Sequence, residues 1–507
     1  MTILTYRKLL TSSFRRYCAK KLVPKYDAVI VGGGMVGFCL AALTAASKLL
    51  CTKRILLLES TAKKTHQHKE EYENRVVALN DLSVNMLKNI GAWEFIKSFR
   101  YQPVNKMKVW ETKSDLYLTF HRNPLAYIVE NNLVIESLRN YLESVNNCSN
   151  VTILYEAQVK NIQLPPANHS EHLVRIDIQQ KSHDKEETIE TNLLIGADGF
   201  NSPVRKAANI HTIGWNHNQK AIVATLKLEQ ANEESTAWQR FLPTGPIALL
   251  PLSKEYSSLV WSTTSYEADR LMNLTDSDFV HELNEFLTKP SEPASQVGTA
   301  FRKLGHCFAS IVDYFGNQTK TVDSENQYTF SSTSPIVSLQ PNTKRACFPL
   351  GFQHATFYSA PRVALVGDSA HRILPLAGQG VNLGFGDVIS LVNHLEEAIS
   401  HGADIGSPAY LKDYTNDRQR IVVPLASTLE LINLLYSTDA YCNRNNNNGP
   451  FNCKKSTMAH LRNNIFTDIR GAGMSTIQSS KLLKDILMEV AVTGRIGTIQ
   501  AKTTSYF

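Results

Sequence analysis

The stretch "YDAVIVGGGMVG", Tyr26 to Gly37, constrains this chain more than any other. An apolar run, glycines at Gly32, Gly34 and Gly37, and a second apolar run read as a strand, a tight turn and a buried helix. The first glycine permits the turn, the second lets a pyrophosphate approach backbone amides at the helix N-terminus, and the third lets helix and strand pack closely. "RILLLES" follows as a second buried strand ending at Glu59, 22 residues past Gly37. A carboxylate there can accept hydrogen bonds from adenosine ribose hydroxyls and repels a 2′-phosphate. The unit is the start of a βαβ dinucleotide-binding fold. By itself it fits a nicotinamide or a flavin dinucleotide.

Ala28 to Ser47 is twenty residues without a charge, long enough to cross a bilayer on hydropathy alone. Its glycine cluster, the flanking Asp27 and Lys48, and the strand that follows favour a buried strand, turn and helix, so no transmembrane helix is expected. The formal charge of +7 is concentrated at one end: Arg7, Lys8, Arg15, Arg16, Lys20, Lys21 and Lys25 all precede the first acidic residue, Asp27. Setting these seven aside from the 53 basic residues leaves the rest balanced against 46 acidic ones, so nothing suggests a nucleic-acid surface. Residues 1–25 are basic, hydroxyl-rich and free of acids, with no continuous apolar core, which is the composition of a mitochondrial transit peptide. The eight cysteines show no C-x-x-C pair and no zinc spacing, and read as reduced structural thiols. No metal site is expected.

Further along, "HLVRIDIQQ" alternates, with Val174, Ile176 and Ile178 on one face, and reads as a half-exposed antiparallel strand. Between 213 and 345 strands such as "AIVATLKL", "PIALLPL" and "SSLVWSTTS" mix with a helical piece near "DSDFVHELNEFL", which suggests a second, sheet-rich domain inserted into the first. "RVALVGDSAH" then returns as a buried strand with a turn, and the chain finishes in helical patterns broken by an Asn-rich stretch at 443–453.

Two further motifs carry chemistry. In "LLIGADGFNSPVRK" a strand ends in an Asp198-Gly199 turn, on its own a common feature. In "RVALVGDSAHRILPLAGQGVNLGFGD" a strand delivers Asp368, Pro375 fixes the approach, and Ala377 to Gly380 open a helix whose free amides face whatever follows.

Taken together and in order, these motifs resemble those of the flavin-dependent aromatic hydroxylases of the p-hydroxybenzoate hydroxylase class. Asp198-Gly199 with Ser202 and Arg205 is similar to the class's "DG" motif, and Gly367 and Asp368 match its "GD" motif, in which the Asp binds the ribityl chain of FAD. The resemblance makes the dinucleotide FAD. It implies that Arg75 contacts the pyrophosphate side, and that the amides of Gly378, Gln379 and Gly380 suit the N1–C2=O edge of the reduced ring. "NRVVALNDLSVNMLKNIGAW", "AYIVENNLVIESL" and "RFLPTGPIALLPL" narrow the likeness to the ubiquinone-biosynthesis monooxygenases, and the N-terminal segment to their mitochondrial branch. The Asn-rich stretch departs from that family's pattern.

The implied architecture is α/β: a Rossmann-like FAD-binding domain with an interleaved sheet-rich substrate domain and a helical C-terminus. Its segments would be 26–98, 128–212 and 346–425 for FAD, 99–127 and 213–345 for substrate, and 426–507 for the C-terminal helical region. The implied reaction is ring hydroxylation, at C5, of a polyprenylated 4-hydroxybenzoate-type phenol by O2 through a flavin C4a-hydroperoxide. No catalytic side chain is assigned, and His371 reads as structural. With only one G-x-G-x-x-G, the electron donor implied is a ferredoxin with its reductase. Peripheral contact with the matrix side of the inner membrane and other ubiquinone-biosynthesis proteins as partners are also implied. Lys481 to Val492 is a candidate docking helix, or a plain core helix. A flavin-dependent isoprenoid reductase and a non-catalytic FAD-containing subunit of a quinone-synthesis complex remain as other readings.

Overall fold

The structure, a computed structural model, describes residues 23–63, 70–112, 117–145, 150–166, 172–181, 185–290, 335–340, 344–375, 378–436, 473 and 476–477. The transit-like segment, almost all of it, lies outside the described residues, as do 291–334, the Asn-rich stretch and Lys481 to Val492.

Two sheets organise the chain. The first places its parallel strands in the order Val363–Leu365, Lys185–Gly196, Lys25–Val31, Ile55–Leu58 and Val151–Leu154, with the short antiparallel Ser359–Ala360 at one edge. The central strands are near-continuous apolar runs because both faces are covered: Val29, Ile30, Leu57, Leu193 and Leu194 are fully buried. Helices Met35–Ala46, Asn131–Ser144 and Gln379–Ser400 share the same core with them. The uncharged run from Ala28 is thus strand, turn and helix, as its glycines required, and among the described residues no helix is long and apolar enough to cross a membrane. The first half of Lys185–Gly196 pairs antiparallel with Val174–Gln180, which pairs with Ala157–Gln163. There Val174, Ile176 and Ile178 are buried and Arg175 is exposed, the alternation expected.

The second sheet has ten strands among the described residues, with Thr212–Leu228 paired to both Tyr256–Thr264 and Ala346–Ala355. Its two faces follow residue parity. Leu259 and Trp261 pack with Phe279, Leu283 and Leu287 of helix Asp276–Thr288, which begins where Thr275 caps the Asp278 amide at 3.2 Å. Val260 on the opposite face packs with Leu350 and Leu374 instead.

The interleaving is finer than the sequence segments. Val76–Leu79, inside 26–98, is an edge strand of the second sheet, and Ala346–Ala355 and His371–Arg372, inside 346–425, belong to that sheet as well. The decisive crossing is short: Val363–Leu365 lies in the parallel sheet, Gly367–Ser369 forms one 3-10 turn, and His371–Arg372 already pairs with Gln353 and His354 of the second sheet. Asp368 therefore stands where the chain passes from one sheet to the other. Helix Pro408–Tyr436 spans the same junction, its Tyr414 hydroxyl donating to Leu365 O at 2.7 Å and its Tyr436 ring 4.3 Å from that of Phe241.

Candidate functional site

The first turn is built by steric necessity. Gly32 sits at φ +107°, and a Cβ on it would lie 2.3 Å from Ala197 O; a Cβ on Gly37 would lie 1.8 Å from Gly32 O. Helix Met35–Ala46 can start this close to the strand only because both residues are glycine. Gly34 is its N-cap, without a side-chain cap and with no acid in the first turn, so the first amides keep their donors and the positive helix end keeps its field. A Cβ on Gly34 would meet nothing within 4 Å, which leaves open space beside those amides. Glu59, at the end of the second strand, accepts Gly33 N–H and Thr61 N–H, both at 2.7 Å, which fixes its carboxylate next to the turn. The four residues thus converge at the C-terminal end of the central strands.

At the second turn, Asp198 accepts Val204 N–H through Oδ2 at 3.0 Å, while Ser202 caps Arg205 N–H at 2.9 Å. The Asp198 Oδ1 is buried without a partner among the described residues. Burial pushes this carboxyl above the ordinary range, and Ser202, the Val204 amide and Arg205 pull against that. Arg205 itself is 5% exposed and donates to Ser369 O at 2.7 Å and Phe200 O at 2.6 Å. This guanidinium straps the second turn to the third.

At the third turn Gly367 has φ +62°, and its Cβ position lies 3.1 Å from the Val36 side chain of the first helix. The Asp368 side chain is exposed to solvent, with protein packed around its base. That packing raises it, opposed by His371 and Arg372, and no protein donor satisfies it among the described residues. Pro375 is half-buried, and Leu376 and Ala377 lie outside the described residues. Gly378, at φ +64°, is the N-cap of helix Gln379–Ser400, again with no side-chain cap and no acid in the first turn. Gln379 is buried, whereas a Cβ on Gly380 would meet open space. Asn382 anchors this helix start by donating to Ala78 O at 2.7 Å and accepting from Asn80 N–H and Ser83 Oγ. Arg75 precedes the strand that carries Ala78; it is exposed and forms no side-chain ion pair among the described residues. Its near neighbour Glu73 does not pair with it; that carboxylate takes Asn132 Nδ2 at 2.7 and 2.8 Å.

Three turns, two uncapped helix starts, a buried unpartnered Asp198 oxygen and a solvent-facing Asp368 without a protein donor among the described residues together suit an elongated, polyhydroxylated, anionic ligand. A dinucleotide fits that description. Two elements were not anticipated from the sequence. One is the Arg205–Ser369 strap. The other is Asp387, fully buried, which His371 Nε2 meets at 2.6 Å. His371 is 2% exposed and engaged there, as a structural role requires. An acid inside the apolar run "GVNLGFGDVISLV" was the available signal for it. Among the described residues no group of three or more His, Cys, Asp or Glu is placed to hold a metal ion.

The model of the FAD binding domain family matches residues 25–300 and 317–427. Among solved structures, p-nitrophenol 4-monooxygenase PnpA from Pseudomonas putida DLL-E4 shares the fold at a TM-score of 0.58 and 16% identity, covering 92% of this chain and 98% of that one. PqsL from Pseudomonas aeruginosa, a probable FAD-dependent monooxygenase, does so at 0.56 and 18%, covering 82% and 96%. The chain is a flavoprotein of the FAD-dependent monooxygenase class. Ubiquinone biosynthesis monooxygenase COQ6, mitochondrial, is 39% identical in Xenopus tropicalis over 85% of this chain and 90% of that protein. The human protein of the same name is 39% identical over 84% and 89%. The chain belongs to this COQ6 family.

Proposed function

We propose that this chain is the mitochondrial FAD-dependent monooxygenase that hydroxylates the aromatic ring of a polyprenylated 4-hydroxybenzoate-type intermediate, at C5, in ubiquinone biosynthesis. The observation that carries it is the 39% identity to the COQ6 proteins over most of both chains. Overall, a ring C–H, O2, two electrons and two protons become a ring C–OH and water.

FAD, when bound, supplies the oxygen activation that no protein side chain can. The residues of this chain hold and shield it. Gly32, Gly34 and Gly37 with the first helix amides take the pyrophosphate, and Glu59 takes the adenosine ribose. Arg75 supplies positive charge on the pyrophosphate side, Asp198 completes the second turn, and Asp368 accepts from ribityl hydroxyls. Pro375 and the amides of Gly378, Gln379 and Gly380 stabilise negative charge at the ring edge. Val260, Leu350 and Leu374 of the second sheet and the segment after Asp368 form a buried apolar cluster that braces the start of that segment. A ferredoxin with its reductase delivers the electrons. The enzyme works on the matrix side of the inner membrane, in peripheral contact with it and with other proteins of the same biosynthesis.

The test is mass-spectrometric profiling of quinone intermediates in cells lacking the protein, rescued by wild type or by a Gly34→Ala, Asp368→Ala double variant. A polyprenylated ring lacking one hydroxyl is expected to accumulate and to disappear only with wild type. Normal quinone with no such intermediate refutes the substrate. Efficient turnover of purified enzyme with NADPH alone refutes the ferredoxin donor.

A further inference from the structure

Asp387 is a carboxylate with two working sides, buried completely in helix Gln379–Ser400. Its Oδ2 accepts Gly367 N–H at 2.9 Å and faces His371 Nε2 at 2.6 Å. Its Oδ1 accepts Arg418 Nε at 2.7 Å, and Arg418 also donates to Leu383 O at 3.1 Å. The Oδ2 partners lie immediately before Asp368 and three residues after it, so a single atom grips both ends of the turn that carries the solvent-facing Asp368. Among the described residues nothing else grips the Gly367 amide, since the turn's own bonds close at Ser369 and Ala370. The helix carrying Asp387 is the one whose uncapped start, Gly378, faces the same site. Burial alone would lift this carboxyl, but His371 and Arg418 hold it below the ordinary range, so it stays an anion able to accept three donors.

We propose that Asp387 is a positioning residue for flavin binding: its Oδ2 holds the Gly367–His371 turn so that Asp368 meets the ligand, while Oδ1 serves the separate task of neutralising Arg418. The inference rests on the reading of Asp368 as part of the flavin site. The two sides predict different consequences. Losing the Oδ2 bonds loosens the turn and weakens FAD binding, by about tenfold for one lost charge-assisted hydrogen bond at a site that must be ordered. Losing Arg418 disturbs the packing of two helices and leaves the turn gripped.

The experiment measures FAD dissociation constants by fluorescence titration of apo-protein, the visible spectrum of bound flavin, and Tm without FAD. The variants are Asp387→Leu, Arg418→Met, the two combined, His371→Phe and Asp368→Ala. Removing both members of a buried pair is less damaging than orphaning one, so the double variant should recover Tm relative to Asp387→Leu. It is expected to keep the tenfold or larger loss of FAD affinity and an altered flavin spectrum, while Arg418→Met stays within threefold of wild type. His371→Phe, which leaves the Asp387–Arg418 pair intact, should weaken FAD in the same direction, and it serves if Asp387→Leu does not fold. FAD affinity that recovers together with Tm in the double variant overturns the proposal. So does an Arg418→Met loss as large as that of Asp387→Leu, or an unaffected His371→Phe. An Asp368→Ala variant with wild-type affinity overturns the reading of the turn itself.

Discussion

Replacing Arg205 by Met tests whether the three turns form one site. The substitution keeps most of the aliphatic stem and removes only the guanidinium that joins Ser369 O to Phe200 O. Each hydrogen bond from a charged donor contributes about 1.5–3 kcal/mol, and the two carbonyls left behind lose their buried partner. Against this stands the cost of burying the charge, visible in an Arg205 pKa held below the ordinary range by burial, with Asp198 opposing. The net loss is about 2–4 kcal/mol. With unfolding entropy near 2.1 cal/mol/K per residue over the roughly 350 described residues, that lowers Tm by roughly 3–5 °C.

Stability alone would not distinguish the strap from any buried arginine. The distinguishing quantity is the increment in Tm that saturating FAD confers. If the strap holds the Asp198 and Asp368 turns in a common geometry, FAD must restore that geometry at its own expense in the variant, and the increment shrinks along with the affinity. Differential scanning fluorimetry with and without FAD, together with an FAD titration, reads both. A variant whose Tm falls as expected but whose FAD affinity and FAD-induced increment stay at wild-type values refutes the coupling. A Tm within 1 °C of wild type refutes the strap.

Two paired substitutions in the first turn should separate folding from binding: Gly37→Ala forces a Cβ to 1.8 Å from Gly32 O and should give unstable or insoluble protein. Gly34→Ala, whose Cβ meets no protein atom within 4 Å, should leave the Tm of apo-protein unchanged and abolish copurifying flavin absorbance. Acid should weaken the fold through His354, whose pKa is pushed down to about 4 by burial and by His371, and whose Nε2 lies 2.9 Å from the Tyr358 hydroxyl. The unfolded chain binds this proton near 6.5 and the folded chain only near 4, so stability is fully present above 6.5 and is lost as pH falls towards 4. The Tm of a His354→Gln variant should fall less steeply across that window.

What the sequence made legible here was what lies close along the chain. Gly32, Gly34 and Gly37 span a single turn, and their roles follow from sterics that any strand–turn–helix must obey. Glu59 was equally legible because the length of the βαβ unit sets its place. The alternation in Val174 to Ile178 needed only a period of two. The strap was not legible, because Arg205 and Ser369 are 164 residues apart and only the parallel pairing of Val363–Leu365 with Lys185–Gly196 brings the two turns side by side. The same holds for the finer interleaving of the sheets: nothing local in Val76–Leu79 says whether its partner is Tyr117–Glu130 or a strand of the parallel sheet.

Asp387 marks the boundary between these cases. A lone acid in the apolar first half of a long helix is a strong local signal, because an anion is left in such a place only where donors compensate it. The signal gives the existence of partners and not their identity. Two of them, Gly367 and His371, lie within the motif already singled out; the third, Arg418, arrives from another helix. The same reasoning accounts for the place of His371, beside the flavin motif and tempting as a base. Its ring is 2% exposed and its Nε2 faces a fully buried carboxylate, so it closes the turn from within the fold. On the function proposed above, the site's chemistry falls to the flavin and to the amides and carboxylates that would place it. The protein's own contribution is rigidity at one crossing between two sheets.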